Sequence, residues 1–143
     1  MRASLAAAAL VVLAALAGCA ATPPVEPARR TVAPAEHVTL AEQDALIELK
    51  RGMRLHVRLQ SETMTVSEGR MWHITAVSGS SVQPYGQPWF AAKHVYAVKE
   101  PGNWIFDFNA VAPGTTTVTF DFRRDDEPVA AATHTAKFDF VVR

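Results

Sequence analysis

The chain of 143 residues carries 14 Lys and Arg against 14 Asp and Glu, a formal net charge of zero. Such a balance creates no long-range field toward polyanions, which argues against nucleic-acid binding. The single cysteine, Cys19, leaves the rest of the chain with no thiol, disulfide or cysteine-based metal site, so the fold must stand on its apolar core.

Residues 1–18 open with one charge at Arg2, run through an apolar stretch over residues 6–16 and end in Leu16-Ala17-Gly18-Cys19. The apolar run is shorter than the roughly 18–20 residues that span a bilayer, so it reads as a signal peptide rather than a membrane helix. Small residues ahead of a cysteine form a lipobox, which predicts cleavage before Cys19 and its lipidation. Each buried CH₂ of the added chains would contribute about 0.8 kcal/mol, so more than one chain gives stable anchoring. Ala20 follows, where an aspartate would signal inner-membrane retention. The expected location is therefore the cell envelope, lipid-anchored to the outer membrane and facing the periplasm of a Gram-negative bacterium.

Residues 19–36 hold Pro23, Pro24, Pro27 and Pro34 without apolar periodicity and read as an extended, solvated tether. Residues 37–143 remain for one domain, roughly 105 residues, enough to bury a core without staples. The only helical signal is a short turn at Ala41-Glu42-Gln43-Asp44.

Beyond that point apolar and polar residues alternate with period two, the pattern of half-buried strands. Met53, Leu55, Val57 and Leu59 alternate with Arg54, His56, Arg58 and Gln60 after the turn residue Gly52. Trp72, Ile74 and Ala76 form a second apolar set. Trp104, Phe106 and Phe108 form a third, opposite Ile105, Asp107 and Asn109. Val118, Phe120 and Phe122 follow the turn Ala112-Pro113-Gly114, and Phe138, Phe140 and Val142 close the chain. Residues 89–99 are β-rich at Val95, Tyr96 and Val98 and supply a further candidate strand. Several short strands between Gly, Pro, Asp and Ser clusters predict an all-β, immunoglobulin-like antiparallel β-sandwich, with a barrel as the rival.

Candidate chemistry is sparse. His56 and His73 fall on outward faces and His37, His94 and His134 near strand ends or in loops. No pair has the i, i+2 or i, i+4 spacing common in zinc sites, so they read as solvated and no metal or other cofactor is expected. Asp125-Asp126-Glu127 lacks the spaced oxygens and glycine of a calcium loop and reads as a charged hairpin tip that discourages edge pairing. Asp107, Asp121 and Asp139 would share an outer face with Arg123 and Lys137, where cross-strand charge pairing explains them more simply than catalysis. No Gly-x-Ser-x-Gly element, phosphate loop or Cys/His pair is present, so no catalytic residue is assigned and the chain does not read as an enzyme. Trp89 and Phe90, after the turn-rich Gln83-Pro-Tyr-Gly-Gln-Pro88, fit either a partner anchor or the core.

Four stretches carry a family resemblance: Gly52-Met-Arg-Leu-His-Val-Arg-Leu59, Gly69-Arg-Met-Trp72, Gly102-Asn-Trp-Ile-Phe-Asp-Phe108 and Ala112-Pro-Gly-Thr-Thr-Thr-Val-Thr-Phe-Asp-Phe-Arg-Arg124. In this order they resemble the chagasin-like family, small immunoglobulin-like inhibitors of papain-type cysteine peptidases. The resemblance implies a protein partner, a papain-like cysteine peptidase, wedged against three loops from one end of the sandwich; a monomer is expected, and the lipobox at Cys19 implies that the bilayer is touched only through the lipid. Rigid loops suit such a role because little ordering entropy is lost on association. The implied contact residues are Thr65, Val66, Ser67, Glu68 and Gly69 in the first loop, Pro101, Gly102 and Asn103 in the second, and Arg124, Asp125 and Asp126 in the third.

The loops depart from the family pattern. Thr65-Val66-Ser67-Glu68-Gly69 stands for Asn-Pro-Thr-Thr-Gly and keeps only the glycine. The second loop has one glycine where the family has Gly-x-Gly-Gly, and Asp125 and Asp126 replace the proline and tryptophan that follow the family arginine. Aromatic anchors concentrate interface energy, so loss of that tryptophan weighs most. A non-inhibitory periplasmic protein-interaction module on the same fold is the alternative reading.

Overall fold

A computed structural model describes residues 30–32, 36–61, 69–92 and 101–143. Ten strands occupy most of this length: β1 (Thr31–Val32), β2 (His37–Thr39), β3 (Leu46–Leu49), β4 (Arg54–Ser61), β5 (Arg70–Gly79), β6 (Val82–Pro84), β7 (Trp89–Ala92), β8 (Gly102–Ala110), β9 (Gly114–Arg124) and β10 (His134–Val142). They form two sheets. One has the order β1-β3-β10-β9-β5; the other runs β2-β4-β8-β6, with β7 also pairing β8.

The five alternating runs seen in the sequence are β4, β5, β8, β9 and β10. Their apolar sets face each other between the sheets, with Leu55, Val57, Leu59, Phe106 and Phe108 on one side and Val118, Phe120, Phe122, Phe138 and Phe140 on the other, all buried. Phe120 is central. Its ring meets Phe106 at 4.9 Å and Phe138 at 5.8 Å between centroids, both edge-on, the arrangement aromatic quadrupoles favour.

The central pairings are antiparallel, as the alternation implied: β4 with β8, β9 with β10, and β5 with β9. The N-terminal margin adds parallel pairs, β1 with β3, β3 with β10 and β2 with β4. The chain leaves β2 in one sheet, turns through a short 3-10 segment, Leu40–Glu42, and enters β3 in the other. Thr39 and Glu42 close that turn as a reciprocal capping box, with the Thr39 amide and hydroxyl both donating to Glu42 Oε2 at 2.8 Å. The expected turn at residues 41–44 is thus the link between layers.

Three segments differ from the sequence reading. Thr31–Val32 lies within the stretch expected to be tether, yet it pairs with β3, and the Leu46 amide donates to Arg30 O at 2.9 Å. Two β-prone residues suffice there because β3 offers a ready edge. Leu46–Leu49 and Val82–Pro84 are strands too short for periodicity to reveal. The second apolar set is shorter than expected. A β-bulge between Ile74 and Ala76 shifts the register, leaving Ala76 and Val77 exposed.

The aspartates do not share one face. Asp107 lies on β8, while Asp121 and Asp139 lie in the other sheet, where the register sets Thr135 opposite Asp121, Thr117 opposite Asp139 and Thr119 opposite Lys137. Asp121, only 3% exposed, accepts a hydrogen bond from Thr135 Oγ1 at 3.0 Å, and Asp139 accepts one from Thr117 Oγ1. A threonine hydroxyl of the neighbouring strand thus donates to each of these two carboxylates.

Candidate functional site: three loop bases at one end

The register brings the loop bases together. Ser61, which ends β4, pairs with Gly102, which opens β8, and Gly102 also pairs with Ala92, the last residue of β7. In the facing sheet Arg70, which opens β5, pairs with Arg124, which ends β9. Trp72 ties the two layers here. Its indole Nε1 donates to Gln60 O of β4 at 3.2 Å, and its ring packs on Phe122 at 5.4 Å. Ser61, Arg70, Ala92, Gly102 and Arg124, the strand ends that flank the three predicted loops, therefore gather at one end of the sandwich.

Thr65, Val66, Ser67 and Glu68 of the first loop lie outside the described residues, as do Cys19 and His94. Gly69 is exposed with φ +70°, a left-handed conformation that glycine adopts without strain as the chain turns into β5. Pro101 is half-buried at the entry to β8, and Asn103 is a strand residue held between Gln60 of β4 and Ala91 of β7. Gly102 is buried for a steric reason. A Cβ there would stand 2.4 Å from Phe90 Cζ and 2.5 Å from Ala91 O. The missing side chain lets Phe90 lie across the strand and pack on Trp104 at 5.4 Å. Phe90 thus belongs to the packed layer, while Trp89, its neighbour on the outer face, is half exposed.

The third loop is held by charge. Arg70 and Arg124 sit directly opposite each other on β5 and β9, a like-charge juxtaposition that destabilises unless answered. The acidic run answers it. Arg124 Nε donates to Asp126 Oδ1 at 3.0 Å, and Arg70 Nη2 donates to Glu127 Oε1 at 2.8 Å. Glu127 Oε2 accepts the Arg124 amide at 3.0 Å, and Arg123 Nη1 donates to Glu127 O at 2.9 Å. His73 lies 3.2 Å from Arg123 O and 3.5 Å from Asp125 Oδ1. The Arg124 guanidinium, by hydrogen bond and by charge, holds the Asp126 carboxyl below its ordinary value. Asp126 and Glu127 therefore supply the counter-charge of the loop base, at the charged turn between β9 and β10 that the sequence implied. Arg124 is turned onto its own loop, and the Asp125 side chain, 82% exposed, projects.

In the sequence Arg70 stands out by nothing, and His73, Arg123 and Glu127 read only as solvated or surface-paired charges, not as parts of this loop base. Their roles depend on the β5–β9 register, which periodicity does not supply. Among the described residues Arg70 Nη1 and Arg123 Nε are buried without a hydrogen-bond partner. A cleft of about 230 Å³ lies at this end, lined by Leu40, Gln43, Gln60, Trp72, Phe122, His134 and Thr135. Among the described residues no group of three or more His, Cys, Asp or Glu side chains is arranged to hold a metal ion.

Two facing sheets with three loop bases gathered at one end define an all-β, immunoglobulin-like scaffold of the loop-presenting kind. Residues 48–142 match the chagasin family of peptidase inhibitors, I42, and the chain belongs to that family. Its fold is similar to that of the cysteine protease inhibitor EhICP2 from Entamoeba histolytica, with a TM-score of 0.60 and 17% identity over 79% of this chain and 97% of that one. It is equally similar to the solution structure of amebosin, with a TM-score of 0.60 and 15% identity over 77% of this chain and 99% of that one. No curated protein sequence matches significantly.

Proposed function

We propose that this protein is a lipid-anchored envelope inhibitor of papain-like cysteine peptidases that acts by binding its target through the three loops. The observation that carries this reading is the third loop, tied at its base by the Arg70–Glu127 and Arg124–Asp126 pairs, within a chain of the chagasin family. A loop already held in shape loses little freedom on docking, which suits inhibition without chemistry. Residues 65–69, Pro101, Gly102, Asn103 and residues 124–126 form the proposed contact set. The lipobox at Cys19 supports attachment to the envelope, with the outer membrane facing the periplasm as the proposed site and a monomer as the proposed state.

The test is a titration of papain with the purified full-length protein. Saturable loss of peptidase activity is expected, and unchanged activity at high micromolar inhibitor refutes inhibition of this class. Metabolic labelling with radioactive palmitate tests the anchor separately: label should enter the wild-type protein and be lost in Cys19→Ala.

A second reading is favoured by one feature. Where the family presents proline and tryptophan, this loop presents Asp125 and Asp126, and Arg124 is engaged by Asp126. A module that holds a different envelope protein on the same scaffold accounts for that exchange. Crosslinking in intact cells discriminates, since recovery of a peptidase alone removes support for it.

A further inference from the structure

Away from the loop end, β2 and β4 run parallel with His37 directly opposite His56. The two imidazoles stack, with centroids 5.1 Å apart and planes at 24°. On the other side of His56, β8 places Asp107 opposite it, and His56 Nδ1 lies 2.5 Å from Asp107 Oδ1. A carboxylate only accepts, so the proton of this contact is on Nδ1. In the neutral ring the lone pair is then on Nε2. A histidine oriented this way by a carboxylate has the outer-shell arrangement typical of metal-ligating histidines, which fixes the tautomer and raises basicity at the free nitrogen.

We infer that His37 and His56 form a cross-strand site for a borderline divalent transition-metal ion such as Zn²⁺ or Ni²⁺, with Asp107 as the positioning residue behind His56. The two imidazoles supply two ligands, and water completes the shell. Tetrahedral bonds of about 2.0–2.1 Å place two ligand nitrogens about 3.3 Å apart. The stacked centroids are farther apart than that, so the rings must tilt toward each other. His37 can do so because it is exposed on a three-residue edge strand. The His56 amide donates to Glu36 O at 2.8 Å, which holds the approach of β2 to β4 while the ring moves.

The charges around the pair permit a cation. Asp107 contributes one negative charge at hydrogen-bond distance, and Glu36 adds another beside His37 in sequence. Arg54 and Arg58 share the outward face of β4, but the Arg54 guanidinium is drawn over the Tyr85 ring, 4.4 Å from its centroid. Both guanidinium groups keep their charge, so two acidic and two basic groups leave the surroundings of the pair near neutral. Spacing along the sequence gave no hint of this site, because its two ligands are 19 positions apart (56 minus 37) and meet only through strand pairing.

The test is a calorimetric titration of the untagged full-length protein in detergent with ZnCl₂ and, separately, NiCl₂, with imidazole NMR resonances followed in parallel. One saturable site is expected, with shifts confined to His37 and His56. His37→Gln should abolish it while leaving the melting temperature unchanged, since that side chain is exposed. Asp107→Asn should weaken affinity by about 10–100-fold while the site stays saturable, the signature of a positioning carboxylate. Binding that survives His37→Gln, shifts at His73 or His134 instead, or no saturable binding at all would each overturn the inference.

Discussion

Glu127→Ala tests whether the third loop is clamped. Its carboxylate accepts from the Arg70 guanidinium at 2.8 Å and from the Arg124 amide at 3.0 Å. Both partners of the ion pair are about a quarter exposed, 26% for Arg70 and 23% for Glu127, so the pair lies between the surface and buried regimes. Exposed pairs contribute about 0.2–1 kcal/mol and hydrogen bonds to charged groups about 1.5–3, which places this one at about 1–1.5 kcal/mol after screening. The amide bond adds about 0.5–1.5 kcal/mol. Removal also leaves Arg70, whose Nη1 is already buried without a partner among the described residues, facing Arg124 with less counter-charge. The expected total is about 2–3 kcal/mol, a fall in melting temperature of about 8–12 °C for a domain of this size. Thermal unfolding by circular dichroism on the single variants and on Arg70→Ala/Glu127→Ala completes a double-mutant cycle, and a coupling above about 0.5 kcal/mol is expected. A Glu127→Ala protein that melts within about 1 °C of wild type, or an additive cycle, refutes the clamp.

Three further outcomes follow from the same geometry. Gly102→Val drives a side chain into Phe90 and the Ala91 carbonyl, so it should cost about 1–3 kcal/mol by denaturant unfolding and displace β7, read as a shift in Trp fluorescence. Thr135→Val removes the donor to the buried Asp121 carboxylate and should destabilise by about 1–3 kcal/mol, read by denaturant unfolding. Asp126, with its carboxyl held low in the folded state, contributes stability above the ordinary carboxylate range, and this is lost as pH falls through its depressed value. Arg124→Gln should raise the Asp126 midpoint toward normal in an NMR titration, and an unmoved midpoint contradicts the assigned cause.

The core was legible because period two is a direct record of which side of a sheet each residue faces. Phe106, Phe108, Phe120, Phe138 and Phe140 declared their burial without any knowledge of partners. Register is a different kind of information. Whether Asp121 meets Lys137 or Thr135 depends on a shift of two residues between β9 and β10, and both choices preserve the alternation. The sequence reading therefore joined three aspartates that belong to two sheets. The short strands at the N-terminal margin were hidden for another reason: two to four residues cannot display a period.

The candidate site lies where both limits meet. Its loops were marked by Gly69, Gly102 and Arg124 through family likeness, yet what shapes the third loop is a set of charges whose pairing depends on Arg70 standing opposite Arg124. Once those two are opposed, an acidic residue on each side becomes a structural requirement of the scaffold. On the proposed function, Asp125 and Asp126, which stand where the family resemblance expects proline and tryptophan, then have a second meaning beside loss of an anchor. Asp126 works inside the loop and Asp125 outside it, so the outward residue is the one whose change should alter target preference while leaving folding intact. Asp125→Trp restores an aromatic near the family position, and tighter inhibition of papain with unchanged melting is the expected result. Unchanged inhibition would mean that the aromatic anchor is not what this loop lacks.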